Sequence, residues 1–329
     1  VTKPSIPLGT SPPPSTGDVG TGFIARLRSG DQIARLIVSL AAAAIFLITA
    51  VVLGVLISQS SQARHQFGWR FLTTSTWDPV AGNFGALPFI YGTVLTSALA
   101  LVIAVPQGVA SAVFLAELAP RRLSDALTFL IELLAAVPSV LYGLLGIFVV
   151  VPFLQDHVVP SLKSTFGFLP IFSGPFYGVS YFSAGVVLSV MVVPFIVSVS
   201  REVLLAVPKE QREASLALGA SRWQTVRRVV WPNAARGILG SVFLALARAL
   251  GETMAVTMVI GNTPRISSSL LAPGYSIAAV IANEFTEATG DLYLSALIEL
   301  GLVLFAVTFV INGLARLLIL AASRKWVSA

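Results

Sequence analysis

Arg248 and Glu252 stand four residues apart in a stretch, 237–262, that is otherwise almost wholly without charge. A guanidinium is always ionised, and its planar fork of N–H donors fits two oxygens of an oxyanion. An ionised carboxylate accepts hydrogen bonds and donates none. Together the two side chains can hold an anion and test whether it carries a proton. On one helix, residues four apart share a face, so both side chains are expected to point into a helical bundle. A helix over 237–262 is about 39 Å long, which puts Arg248 near its middle. An arginine at the centre of a membrane costs roughly 2.5–3.5 kcal/mol, so an intramembrane charge reads first as a functional site. The same two residues could instead neutralise one another and brace the helix, and spacing alone does not separate the two readings.

The elements that must position this pair follow from composition. The chain has 329 residues, of which 11% are charged, against about 25% in a typical soluble domain. It therefore reads as an all-α integral membrane protein. The net charge of +6 does not point to nucleic acid, because the basic residues cluster at the ends of apolar stretches, as membrane orientation requires. There is no cysteine, and the two histidines, His65 and His157, fall in predicted loops far apart in sequence. Thiolate chemistry is excluded, and no metal site is expected. Paired aspartates within spans, an HExxH motif and a Ser–His arrangement are missing, so catalytic residues are not expected either.

A membrane-spanning helix needs roughly 20 apolar residues. Six spans are predicted, at about 33–57, 86–118, 126–155, 180–205, 237–262 and 293–320. The first apolar run, Leu36 to Ile57, is too long for a typical signal-peptide core and reads as a retained span. The preceding residues, 1–32, are expected to form a disordered and interfacial tail, since the tract beginning PSIPLGTSPPPS is rich in Pro, Gly, Ser and Thr. With the N-terminus inside, 16 lysines and arginines fall on the inner side and 4 on the outer. That bias places both termini and the 206–236 loop in the cytoplasm.

That loop carries a second pattern. Residues 213–232 read EASLALGASRWQTVRRVVWP. They are too polar for lipid, yet they are spaced as two short helices hinged at Gly219. Glu213-Ala214-Ser215, Gly219, Val229 and Trp231-Pro232 match in spacing the EAA signature of permease subunits of ATP-binding-cassette importers. The chain departs from it with Ser for the second Ala, Val for Ile and Trp for Leu. A plain basic loop bound to anionic membrane lipid is the alternative. Three further segments resemble one of the two permease subunits of the phosphate importer within that family: FGALPFIYGT at 84–93, IELLAAVPSVLYG at 131–143 and RALGETMAV at 248–256.

This resemblance, which runs over roughly residues 33–322, implies a type I importer core at 86–322. Ahead of it stands an added first span with its outer loop at 33–85, and a short cytoplasmic tail follows at 323–329. It implies that Glu213, Ala214, Ser215, Gly219, Arg222 and Pro232 couple the chain to a separate dimer of ATPase subunits. It further implies a second, related permease subunit and an extracytoplasmic phosphate-binding protein as partners, with inorganic phosphate as cargo. Arg248 would contact the anion, and Glu252 would favour protonated phosphate over sulfate. Thr93, Ser97 and Glu132 are weaker candidates for lining the path. The four lysines follow Thr2, Leu162, Pro208 and Arg324, never glycine, so the chain lacks the Gly-Lys-Ser/Thr ending of a phosphate-cradling nucleotide loop. ATP and magnesium would bind the partner ATPase, leaving this chain without a cofactor and without an enzymatic reaction of its own. A permease for another oxyanion, sulfate or molybdate, and a stand-alone secondary transporter are the competing readings.

Overall fold

A computed structural model of the chain describes residues 30–327, with side chains for 34–317. Among the described residues the regular secondary structure is helical, apart from an isolated bridge between Asp78 and Asn83. The expected tail lies, up to residue 29, outside the described residues. The chain divides into two compact units between Val55 and Leu56. The first contains most of helix α1 (Gly30–Gln59).

The second unit holds all the other helices. Short helices α2 (Ser61–Phe67) and α3 (Arg70–Thr73) precede the long α4 (Leu87–Leu118). Then come α5 (Arg121–Ala135), α6 (Ser139–Phe166) and α7 (Tyr181–Leu205). Helix α8 (Lys209–Ala217) leads into α9 (Arg222–Leu250). The chain closes with α10 (Met254–Ile260), α11 (Ile277–Glu284) and α12 (Asp291–Val327). Among the described residues six helices are long and apolar enough to cross a membrane: α1, α4, α6, α7, α9 and α12. Helix α12 runs on through residues 323–327.

The core is built on α4 against α7. A Cβ on Gly185 would stand 2.5 Å from Leu99, and one on Gly108 would stand 2.7 Å from Ile196. Glycine at these contacts lets the two backbones approach closely, which is how helices gain packing energy in lipid, where no hydrophobic drive exists between them. Ser200 and Ser241 join α7 to α9 through buried hydroxyls 2.7 Å apart.

Two spans differ from expectation. The third was expected at 126–155, but the crossing helix is 139–166, and 121–135 forms a separate helix. Pro138 disfavours the helical conformation in the residue before it. Arg121, Arg122, Asp125 and Glu132 also make α5 amphipathic, which a count of apolar residues does not register. The fifth span was expected as one helix over 237–262. Instead α9 stops at Leu250, residues 251–253 are not helical, and α10 is a separate short helix. Gly251 is a weak helix former, and Glu252 Oε1 accepts a hydrogen bond from the Ala255 backbone N–H at 3.1 Å. The side chain thereby supplies a local partner that favours a fresh helix start.

Prolines shape the helices in two ways. Pro106 and Pro194 sit inside continuous α-helix. By contrast, π turns at Phe114–Leu118, Gly146–Val150, Leu154–Val158 and Val226–Val230 each end two residues before a proline, namely Pro120, Pro152, Pro160 and Pro232. A proline ring clashes with the carbonyl four residues earlier. For Pro152, Pro160 and Pro232, which continue in helix, that carbonyl belongs to the central residue of the π turn, so the wider turn relieves the clash; at Phe114–Leu118 the chain has already left the helix at Ala119, before Pro120.

Candidate functional site

The segment 206–232 is a bent arm. Helix α8 ends at Ala217 with Leu218 as its C-cap, and Gly219 takes a φ of +86°. A Cβ there would meet no atom within 4 Å, so the glycine is required for its backbone angle and not for space. Ser221 then caps α9. Its Oγ accepts from the Gln224 N–H, while the Gln224 side chain accepts from the Ser221 N–H at 2.8 Å. This reciprocal capping box satisfies two otherwise orphaned donors. The Ser215 and Thr225 hydroxyls lie 3.0 Å apart across the bend. Ser215, a departure from the signature, thus gains a partner that alanine could not have.

On its outer surface the arm is open. Glu213, Ala214, Ala217, Arg222, Arg227 and Arg228 are exposed. Leu218 is 89% exposed and Trp223 58%, a large apolar display on a polar segment. On its inner side Arg212 reaches the body, with Nη2 2.8 Å from Glu117 Oε1. Pro232 stands just after the π turn that leads from the arm into the rest of α9.

Arg248 lies in the last turn of α9, two residues before its end, and not at the middle of a continuous span. A cation there complements the negative end of the helix dipole. Its guanidinium carbon stands 5.9 Å from the centre of the Phe195 ring, and the residue is exposed. Glu252 falls in the break beyond the helix, half-buried and turned to the Ala255 N–H. The shared helix face expected of the two residues is therefore lost, because the helix ends between them. No ion pair joins them among the described residues.

The other candidates are dispersed. Thr93 is buried, and its hydroxyl donates to the Phe89 carbonyl at 2.8 Å and accepts from the Ile277 N–H at 2.9 Å. It fastens the start of α11 to α4. Ser97, one turn further along α4, is also buried, and its hydroxyl has no hydrogen-bond partner among the described residues. Glu132 is exposed on α5, outside the third span in which it was expected.

Two features were not anticipated from sequence. One is the Arg212–Glu117 contact, whose partners lie far apart in the chain. The other is the tethering of the loop 261–276, which turns at Gly261 (φ +96°) and Asn262 (φ +48°). The Tyr91 hydroxyl donates to the Ser267 carbonyl at 2.7 Å, and the Tyr181 hydroxyl donates to the Arg265 carbonyl at 2.9 Å. Tyr181 opens α7 and Tyr91 stands in the second turn of α4. In the same region burial pushes the Tyr275 phenol up to about 12. The Gly, Pro and aromatic content of these loops was the available signal.

Comparison with known proteins places this architecture. The family described as "Binding-protein-dependent transport system inner membrane component" matches residues 104–323. A phosphate transport system permease protein PstC from Mesorhizobium japonicum is 49% identical over 285 residues, covering 84% of this chain and 87% of that protein. A protein of the same name from Pasteurella multocida is 46% identical over 285 residues, covering 85% and 89%. A probable phosphate transport system permease protein PstC from Methanocaldococcus jannaschii is 35% identical over 274 residues, covering 82% and 87%. Among solved structures, a chain of a bacterial alginate ABC transporter, crystallised with a pentasaccharide-bound periplasmic protein, aligns with a TM-score of 0.57 at 17% identity. That alignment covers 92% of this chain and 98% of the other, and it speaks for the fold.

Proposed function

Since this chain belongs to the family of binding-protein-dependent transport system inner membrane components, we propose that it is the transmembrane permease subunit of an ATP-driven importer of inorganic phosphate. The observation that carries this reading is identity of 35–49%, over most of the chain, to proteins named as phosphate transport permeases. Those names favour phosphate over sulfate or molybdate as cargo. The chain is a multi-pass membrane protein, and the reading places it in the bacterial cytoplasmic membrane with both termini and the arm inside.

The finer assignments rest on chemistry. The exposed side of the arm, with Glu213, Ala214, Arg222, Leu218 and Trp223, suits docking into a cleft on an ATPase dimer, which would bind ATP and magnesium. Arg248, exposed on a span at a cost in lipid of roughly 2.5–3.5 kcal/mol, calls for a covering wall. A second, related permease subunit would supply it, and the path would run between the two chains. A phosphate-binding protein would deliver cargo at the outer loops. Arg248 would hold the anion, and the free oxygen of Glu252 would accept the proton that phosphate retains at neutral pH. Sulfate offers no such proton, and a buried acceptor left facing a lone pair discriminates strongly.

The test is reconstitution of the chain with a second permease, the ATPase and the binding protein in proteoliposomes. ATP-dependent accumulation of labelled phosphate, with sulfate excluded, is the expected result. Accumulation of sulfate or molybdate in its place would overturn the cargo, and phosphate uptake without the ATPase would overturn the mechanism.

A further inference from the structure

We propose that Arg212 and Glu117 form the strut through which movement of the arm enters the membrane-spanning body. The inference rests on the importer reading above. The Arg212 guanidinium uses all its nitrogens at once. Nε and Nη2 lie 3.2 and 2.8 Å from Glu117 Oε1, Nη2 donates to the Leu204 carbonyl at 2.6 Å, and Nη1 donates to the Val207 carbonyl at 2.5 Å. Both side chains are largely buried, at 17% and 10% exposure. The other arginines of the arm, Arg222, Arg227 and Arg228, are exposed and form no ion pair among the described residues.

One side chain of α8 therefore grips two spans. Leu204 belongs to the last turn of α7 and Val207 lies just past it, where helical carbonyls lack intrahelical donors and a cation is favoured. Glu117 belongs to the final π turn of α4. Hydrogen bonds between ionised partners are roughly twice as strong as neutral ones and fix orientation through the rigid fork. Arg212 is followed at once by Glu213, on the exposed surface of the arm. A push on that surface reaches α4 and α7 together through Arg212. These spans are themselves locked at Gly108–Ile196 and Gly185–Leu99, so they respond as one piece. Neither residue touches cargo or nucleotide, so both are positioning residues.

The test uses the complete importer in proteoliposomes and reads phosphate uptake and ATP hydrolysis in the same vesicles. Glu117→Gln and Arg212→Lys, which lose the ionised acceptor and the fork respectively, are expected to assemble and hydrolyse ATP like wild type. Phosphate moved per ATP should fall about tenfold, within the range of typical coupling effects. Exchanging the charges, Glu117→Arg with Arg212→Glu, should recover part of that loss. Unchanged uptake per ATP, or uptake and hydrolysis falling in parallel, would overturn the strut. If either single variant fails to assemble, the naturally cysteine-free chain allows Glu117→Cys with Arg212→Cys. Joining the two thiols with a short bifunctional reagent should restore coupling, and failure to restore it overturns the proposal. If the wild-type importer moves sulfate and not phosphate, the cargo reading fails by itself, and the strut is judged on sulfate moved per ATP.

Discussion

The hydroxyls of Ser215 and Thr225 lie 3.0 Å apart and close the bend at Gly219 from within. Thr225 is buried. Removing its partner with Ser215→Ala leaves that hydroxyl unsatisfied, at a cost of about 1–3 kcal/mol. The double variant Ser215→Ala with Thr225→Val removes both polar groups and is expected to cost less than Ser215→Ala alone. Hydrogen exchange across 209–232 measures the difference. Equal or greater loosening in the double variant would show that the contact does not hold the bend.

Gly219 itself offers a test of backbone geometry. Its φ of +86° costs a residue with a Cβ roughly 1–2 kcal/mol, and no neighbouring atom adds to that. Gly219→Ala is therefore expected to weaken ATP-coupled uptake, while Gly219→Asn, which tolerates the left-handed region better, retains more of it. Equal loss in both variants would mean that crowding, and not conformation, is the constraint.

Pro232 should govern the phase of the arm. With Pro232→Ala the clash that the π turn at 226–230 relieves is gone, and the turn is expected to return to α-helix. One residue of register then rotates Arg222–Thr225 by about 100° relative to the span below. The variant should keep or raise its thermal stability in detergent yet lose productive assembly with the ATPase. Site-directed cross-linking from Trp223 reads the rotation directly.

Thr93 separates bracing from path lining. Thr93→Val preserves shape but leaves the buried Ile277 N–H without its acceptor, a penalty of about 1–3 kcal/mol. A lowered unfolding temperature with unchanged KM for phosphate is expected, and Thr93→Ser should restore stability. A raised KM at unchanged stability would return Thr93 to the path.

Arg248 and Glu252 are predicted to act on the anion separately, since the helix ends between them. Arg248→Lys keeps the charge but loses the bidentate fork, and should raise the KM for phosphate while leaving sulfate excluded. Glu252→Gln gains a donor and should admit sulfate with little change in phosphate uptake. Competition between the two labelled anions in proteoliposomes measures both. Identical phenotypes would indicate a single structural role.

The membrane-spanning helices were legible because length and apolarity are local properties. Spans α4 and α7 lie within a residue of their predicted bounds, and the arm was legible from Gly219 and the signature spacing. What sequence did not reveal depends on context. Pro106 and Pro194 pass through continuous helices, Pro138 ends one, and Pro152 and Pro160 follow wider turns. The residue type is the same, and its surroundings decide the outcome. The break at 251–253 was readable in hindsight from Gly251 and a capping Glu252, but the apolar run on either side outweighed it. Arg212 and Glu117 meet only because α4 and α8 end at the same face of the bundle, which no local pattern announces. Glu132 was drawn into a span by its apolar neighbours, although the charges of α5 hold it outside.

The two tyrosine hydroxyls that grasp the Arg265 and Ser267 carbonyls carry a consequence for how the bundle parts at that end. A loop tethered near the starts of two different spans cannot flap like a trapdoor. Any aperture there must come from the spans tilting with the loop riding along, as a door swings with its frame attached. Stiffness, not slackness, would then set how fast that end opens.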